Sequence, residues 1–171
     1  KLFGENGAEV TEAHKTGELY VRSAGNFSGY YKAEEKFRAA TRGDFHTVGD
    51  IAYFDEEGYF YIADRKNDMI ISGGMNIYPA EIEAALDTCP DIYEVAVFGV
   101  PDEQWGESVH AAAVPARPGV TAEEVIAYAR EHLAGYKVPR SVTFLEELPK
   151  TGSGKVLKRQ LRESLPRPAA G

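Results

Sequence analysis

Pro149-Lys150-Thr151-Gly152-Ser153-Gly154-Lys155-Val156 puts a lysine directly behind a glycine-bearing loop. A lysine carried in this way can reach into a site on another domain and neutralise charge building on a phosphate. The stretch is not a nucleotide-cradling P-loop. The pattern G-x-x-x-x-G-K-[ST] needs glycine where Pro149 stands and Ser or Thr where Val156 stands. The plainer alternative is a flexible basic tail, which Lys158, Arg159 and Arg162 would also fit.

Three other stretches could do chemistry. In Thr47-Val48-Gly49-Asp50, a carboxylate at the start of a strand could accept two hydrogen bonds from a vicinal diol such as a ribose. Each such bond to a charged acceptor contributes roughly 1.5–3 kcal/mol. The alternative is a turn aspartate capping its own backbone. Asp64-Arg65-Lys66-Asn67-Asp68 falls between two composition regimes, where it is either a solvated turn or a hinge whose side chains exchange partners. Gly73-Gly74 follows the apolar run Met69-Ile70-Ile71. It is either an ordinary tight turn or a strip kept bare so that a long, thin ligand can pass along the backbone.

Composition mainly excludes. The 171 residues, 43% hydrophobic, can build a core as one domain or two small ones. A net charge of −8 argues against a general nucleic-acid binder, which would turn a basic face to phosphates. The single cysteine, Cys89, excludes an intramolecular disulfide framework and fits a reducing cytosol. His14, His46, His110 and His132 show no ligand spacing, so no metal site is expected in the chain. There is no transmembrane-length apolar run and no signal-like start, and Asn26-Phe27-Ser28 is read as a chance glycosylation match.

The elements that must position these residues change character along the chain. The first third reads as β: a strand over Gly17–Arg22, a short helical piece over Ala33–Ala40, and strands over Thr47–Phe54 and Tyr59–Ala63. The acidic turn Asp55-Glu56-Glu57-Gly58 marks the last two as a hairpin. After Asp64, Pro79 opens a helix expected to reach Thr88. Glu94–Val100 pairs with Val109–Pro115, and Thr121-Ala122-Glu123-Glu124 is a capping box opening a helix. That helix presents Val125, Ile126, Ala129 and Leu133 on one face and is expected to end at Gly135. A last strand covers Ser141–Leu145. The pattern predicts an α+β protein in two parts: residues 1–63, β-rich, and residues 65–165, a compact α+β domain. Residues 64–66 form the seam, and 166–171 are expected to be a disordered tail.

In this order the stretches resemble the C-terminal part of the acyl-CoA synthetases, members of the adenylate-forming superfamily with the luciferases and peptide-synthetase adenylation domains. The resemblance runs from about Gly17 to Arg162. It rests on Gly49-Asp50, Asp64-Arg65-Lys66-x-Asp68, Ile71-Ser72-Gly73-Gly74-x-Asn76-Ile77-Tyr78-Pro79-x-Glu81 and Pro149-Lys150-Thr151-x-x-Gly154-Lys155. It implies a cytoplasmic ligase that activates a carboxylic acid, a fatty acid first among the candidates, as an acyl-adenylate with ATP. The acyl group then passes to CoA while a small mobile domain rotates between the two steps.

By the same resemblance, Asp50 matches the aspartate that holds the ribose hydroxyls, and Arg65 an arginine near the ribose and phosphate. Asp64 matches the hinge, Gly73 and Gly74 the CoA tunnel, and Lys155 the catalytic lysine of adenylation. Two departures stand out. Val48 separates Thr47 from Gly49 where the family often has His-Thr-Gly-Asp, and Met75 replaces a common glutamate. Nothing resembles the family's phosphate loop or its Tyr-Gly-x-Thr-Glu segment. The chain is therefore expected to be a piece of the enzyme: the β-rich end of the large domain plus the mobile domain, inactive alone, with Mg2+ held mainly elsewhere. The rival expectations are an acyl-AMP ligase or peptide-synthetase domain loading a carrier protein, and a stand-alone nucleotide- or CoA-binding module.

Overall fold

β4 (Phe45–Phe54) is the spine of the first half of the chain in the computed structural model, which describes residues 1–23 and 32–165. The Asn26-Phe27-Ser28 tripeptide and the 166–171 tail lie outside the described residues. The chain divides into two compact units, Lys1–Asn67 and Asp68–Gly171. The whole is α+β.

In the first unit, β2 (Gly17–Val21) pairs antiparallel along one flank of β4. β3 (Thr41–Arg42) and β5 (Phe60–Arg65) share the other flank, and β1 (Leu2–Phe3) extends the sheet beyond β2. The short helix α1 (Glu34–Ala39) precedes β3. The β4–β5 turn forms because Asp55 Oδ1 accepts the amides of Glu57 and Tyr59 at 3.0 and 2.9 Å, while Oδ2 accepts the Tyr61 hydroxyl at 2.8 Å. This is the self-capping turn that the Asp…Gly spacing predicts. Leu2, Tyr20, Ile51 and Ala52 of these strands are buried.

The second unit is built on a long antiparallel ribbon, β8 (Ile92–Asp102) with β9 (Gly106–Pro115). The far edge of β9 takes β10 (Ser141–Phe144), in parallel, and then β6 (Ile70–Ser72) at Gly106. β6 turns into β7 (Met75–Ile77). Side chains alternate across a strand, and both faces of this ribbon are covered. On one, Val97, Val109 and Ala111 meet Ile82 and Leu86 of α2 (Pro79–Leu86) and Val125 and Ala129 of α3 (Ala122–His132). On the other, Ala96, Phe98 and Ala112 meet Leu148 and Leu161, the latter on α4 (Lys158–Ser164). Burial on both sides explains why Val95–Val100 reads as one apolar run. The α3 capping box forms in full, with Thr121 and Glu124 capping each other's amides.

Four local readings change. α2 stops at Leu86 rather than Thr88, where the Thr88 hydroxyl takes the Ala85 carbonyl at 2.7 Å and competes with the helix ladder. α3 ends before Gly135, because Leu133 turns extended (φ −127) and packs onto the core. Gly135 instead opens a 3₁₀ turn, Gly135–Lys137. β7 and α4 were not expected. α4 is seven residues long, too short to stand on propensity alone, and depends on burying Leu161. Among the described residues, no helix is long and apolar enough to cross a membrane.

Candidate functional site

In the first unit, the backbone delivers Asp50 to Arg65. Gly49 takes φ +85, a left-handed conformation that suits glycine, and β4 leaves register with β2 at this point. The Thr47 hydroxyl fixes the bend by accepting the Gly49 amide at 3.0 Å and donating to Glu18 Oε1 at 3.1 Å. Asp50 then lies opposite Arg65 in the β4–β5 ladder, and Arg65 Nε stands 2.9 Å from Asp50 Oδ1. The contact is an ion pair without hydrogen-bond alignment, so the buried Oδ1 accepts no hydrogen bond.

Asp64 and Arg65 are the last two residues of β5, and Asp64 Oδ1 accepts the Arg65 amide at 2.7 Å. Lys66 is held to the same unit. Its ammonium meets Glu18 Oε2 at 2.8 Å and its amide donates to the Gly49 carbonyl at 2.7 Å. The two units part between Asn67 and Asp68.

Gly73 and Gly74 are the two central residues of the β6–β7 hairpin. Both have positive φ, +57 and +78, as a type I′ turn requires. The turn alone therefore explains the residue type. The two positions differ in their surroundings. A Cβ on Gly73 would come within 2.7 Å of the Trp105 ring, whereas a Cβ on Gly74 would meet nothing within 4 Å. The Gly73 amide also donates to the Trp105 carbonyl at 2.8 Å.

Lys155 lies in a folded turn. Thr151 and Lys155 exchange backbone and hydroxyl hydrogen bonds, Gly154 N donates to Thr151 O at 2.9 Å, and Lys150 bridges to Val156. Among the described residues, the cations that flank it in sequence are paired: Lys150 with Glu94 at 2.7 Å, Lys158 with Glu83 at 2.8 Å, Arg159 with Glu163 at 2.8 Å, and Arg162 with Asp68 at 3.9 Å. Lys155 is exposed and, among the described residues, has no carboxylate within ion-pair reach. The Glu94 hydrogen bond holds the Lys150 ammonium above its usual pKa, so that cation is committed elsewhere.

The Lys155 turn docks at the Glu94 end of the ribbon on the α4 face. The Gly73-Gly74 turn docks at the Gly106 end on the α3 side. Asp102, the partner of Gly106, lies eight residue steps along the strand from Glu94, a span of ~26 Å.

A cavity of about 670 Å³ opens beside Gly73. Trp105, Tyr136, Arg130 and Arg140 line it, with the Arg140 guanidinium 5.3 Å from the centre of the indole. Sequence reasoning missed these residues. The one signal was Trp105, the chain's single tryptophan, placed in a polar turn. Asp102 builds that turn by accepting the amides of Gln104 and Trp105 at 3.0 Å each, and the Trp105 amide bond is the leading reason its carboxyl lies below the usual range. Among the described residues, no three His, Cys, Asp or Glu side chains could together hold a metal ion.

The fold matches that of the C-terminal domain of adenylate-forming enzymes. Residues 81–155 match the family model of the AMP-binding enzyme C-terminal domain, and the chain corresponds to the C-terminal part of that superfamily's acyl-CoA ligases. It is 45% identical to the long-chain-fatty-acid–CoA ligase of Bacillus subtilis over 95% of its own length and 29% of that protein's. It is 44% identical to the 2-succinylbenzoate–CoA ligase of Bacillus mycoides, over 93% and 33%. The solved o-succinylbenzoate CoA synthetase of Bacillus subtilis, in complex with its acyl-adenylate intermediate, superposes with a TM-score of 0.87 at 37% identity, covering 96% of this chain and 34% of that one. The chain thus spans about a third of the length of the relatives it matches.

Proposed function

We propose that this chain supplies the C-terminal part of an ATP-dependent, AMP-forming acid–CoA ligase. The observation that carries this reading is Lys155. It projects from an ordered turn with no carboxylate partner among the described residues, while Lys150, Lys158, Arg159 and Arg162 are all paired. A cation left uncommitted in that way is suited to charge that appears only during a reaction.

In the first half-reaction a substrate carboxylate oxygen attacks the α-phosphorus of ATP and pyrophosphate leaves. Lys155 Nζ would neutralise the charge on the phosphoryl and carboxylate oxygens. Asp50 Oδ1, buried and without a hydrogen bond, would accept from a ribose hydroxyl, with Arg65 close by. In the second half-reaction the CoA sulfur attacks the acyl carbon, the thiol proton is lost, and AMP leaves. The bare Gly73-Gly74 turn would border the path of the pantetheine arm, and the cavity beside Trp105 lies next to it.

Change between the two steps would come from a pivot after Asp64. β5 fixes Asp64 and Arg65 in the ladder, so the turn Lys66–Asp68, where the compact units part, would absorb the rotation. Mg2+ would accompany ATP, and no residue of this chain is assigned to it. A fatty acid is the first substrate class to test, supported by the Bacillus subtilis relative, with 2-succinylbenzoate the alternative supported by the other. A reducing cytoplasm suits the lone, buried Cys89.

The full-length protein should convert ATP to AMP and pyrophosphate only with an acid present, and then form a CoA thioester. Release of ADP and phosphate, or acyl-adenylate that no supplied thiol discharges, would refute the assignment.

A further inference from the structure

The β6–β7 hairpin hangs from β9 by little backbone pairing. Its ladder contact with β9 is the single pair Ser72–Gly106, supplemented by the Gly73 amide on the Trp105 carbonyl. One residue earlier in β6, the Ile71 amide lies outside the β9 ladder. It donates instead to a side chain, Glu107 Oε2, at 2.8 Å. A carboxylate here does the work of a missing ladder bond.

The sheet makes room for it. Glu107 and Gly99 occupy the same face of the β8–β9 ribbon on neighbouring strands. A Cβ built on Gly99 would lie 2.9 Å from the Glu107 carboxyl carbon and 2.9 and 3.0 Å from its two oxygens. A side chain at Gly99 would push the carboxylate out of this position, so Gly99 is the floor on which it lies. Gly99 is also bare in the middle of a strand whose other residues pack on both faces, where a glycine otherwise only weakens the strand.

We propose that Glu107, seated over Gly99, is a positioning residue for the thioester half-reaction: it fixes the height and tilt of the Gly73-Gly74 turn by holding the Ile71 amide two residues before it. The proposal rests on the reading of that turn as the border of the thiol path. Ile70 and Ile77 hold the root of the hairpin by burial, both at 0% exposure, so the fold does not depend on Glu107. The carboxylate acts at the tip, where a displacement of about 1 Å is enough to impair transfer.

The test uses the full-length protein with each half-reaction measured separately, pyrophosphate exchange for adenylation and discharge of supplied acyl-adenylate by CoA for transfer. Glu107→Leu and Gly99→Ala should each leave adenylation within about twofold and lower kcat/KM for CoA roughly tenfold. Glu107→Gln, whose carboxamide oxygen can still accept the Ile71 amide, should stay within about threefold of the parent. Amide hydrogen exchange at Ile71 should quicken in Glu107→Leu and Gly99→Ala but not in Glu107→Gln.

Equal loss of both half-reactions, or unchanged transfer in Gly99→Ala, would overturn the proposal. Gly74→Leu separates this failure from failure of the underlying reading. If Gly74→Leu abolishes transfer while Glu107→Leu does not, only the positioning role falls. If Gly74→Leu also transfers normally, the turn does not border the thiol path, and both fall.

Discussion

The two glycine-bearing turns of the second unit are built in opposite ways. The β6–β7 turn presents backbone: Gly74 has open space where a side chain would project, and Gly73 is pressed against an indole. The Thr151–Lys155 turn presents a side chain, a lysine with no carboxylate in ion-pair reach among the described residues, while Lys150, Lys158, Arg159 and Arg162 are paired. They sit near opposite ends of one ribbon and toward opposite faces. One surface offers clearance and the other offers charge. On the proposed function, this domain would serve the two chemically different steps by turning, since neither surface could do the other's task in place.

The sharpest break of this comparison is to remove the charge. In the full-length protein, Lys155→Ala should slow adenylation by roughly 10²–10³. Discharge of supplied acyl-adenylate by CoA should continue at nearly the parent rate. Equal damage to both steps would mean that the lysine supports the fold or the site as a whole. The reciprocal change is Gly74→Leu, which puts a branched side chain at φ +78. Transfer should fall by about 10² while pyrophosphate exchange persists. If each variant damages only its own step, the two turns act separately.

These turns were legible in the sequence to different depths. Gly73-Gly74 was visible as a pair, and the structure shows that the positive φ angles of a type I′ turn account for both glycines, so the residue type by itself could not carry a functional meaning. The distinction between a packed Gly73 and an open Gly74 depends on Trp105, thirty-odd positions away, which no local pattern reveals. Lys155 read equally well as part of a basic tail. Its singularity appears only when Glu94, Glu83 and Asp68 arrive from distant elements to claim its neighbours. The β8–β9 ribbon and the α3 capping box were plain, because continuous apolar strands and reciprocal caps are local signals. α4 was hidden for the converse reason: its one buried residue, Leu161, gains its partner Phe98 from across the fold.

The two faces can also be loosened one at a time without touching either turn. α3 covers the Gly73 side, and its Thr121 cap should be worth about 1 kcal/mol. Thr121→Ala should lower the stability of the domain by that amount, and amide exchange should quicken at the start of α3 and not in α4. Uniform acceleration through both helices would show that the two faces open as one cooperative unit.

The smallest effect is expected on the opposite face, and pH exposes it. His110 on β9 is buried at 4% exposure, tilted against Phe98 with ring centres 5.2 Å apart. Its Nδ1 bonds the Ser141 hydroxyl at 2.7 Å, and its buried Nε2 has no partner. Burial holds the imidazole below its ordinary value of 6.5. The unfolded chain therefore binds this proton more readily than the folded one, and stability rises with pH across that interval. The contribution is complete above 6.5 and is lost as pH falls below it toward the folded value. Protonation would place a cation on the sheet face that carries Phe98, over which the Arg162 guanidinium already lies at 5.8 Å, itself paired with Asp68. Mild acid should thus loosen α4 before α3. Exchange measured from pH 7 to 5 should show α4 amides losing protection first, and His110→Phe should flatten that dependence. If α3 and α4 lose protection together in the parent, or if the dependence persists in His110→Phe, His110 does not set the acid response of the face that carries Lys155.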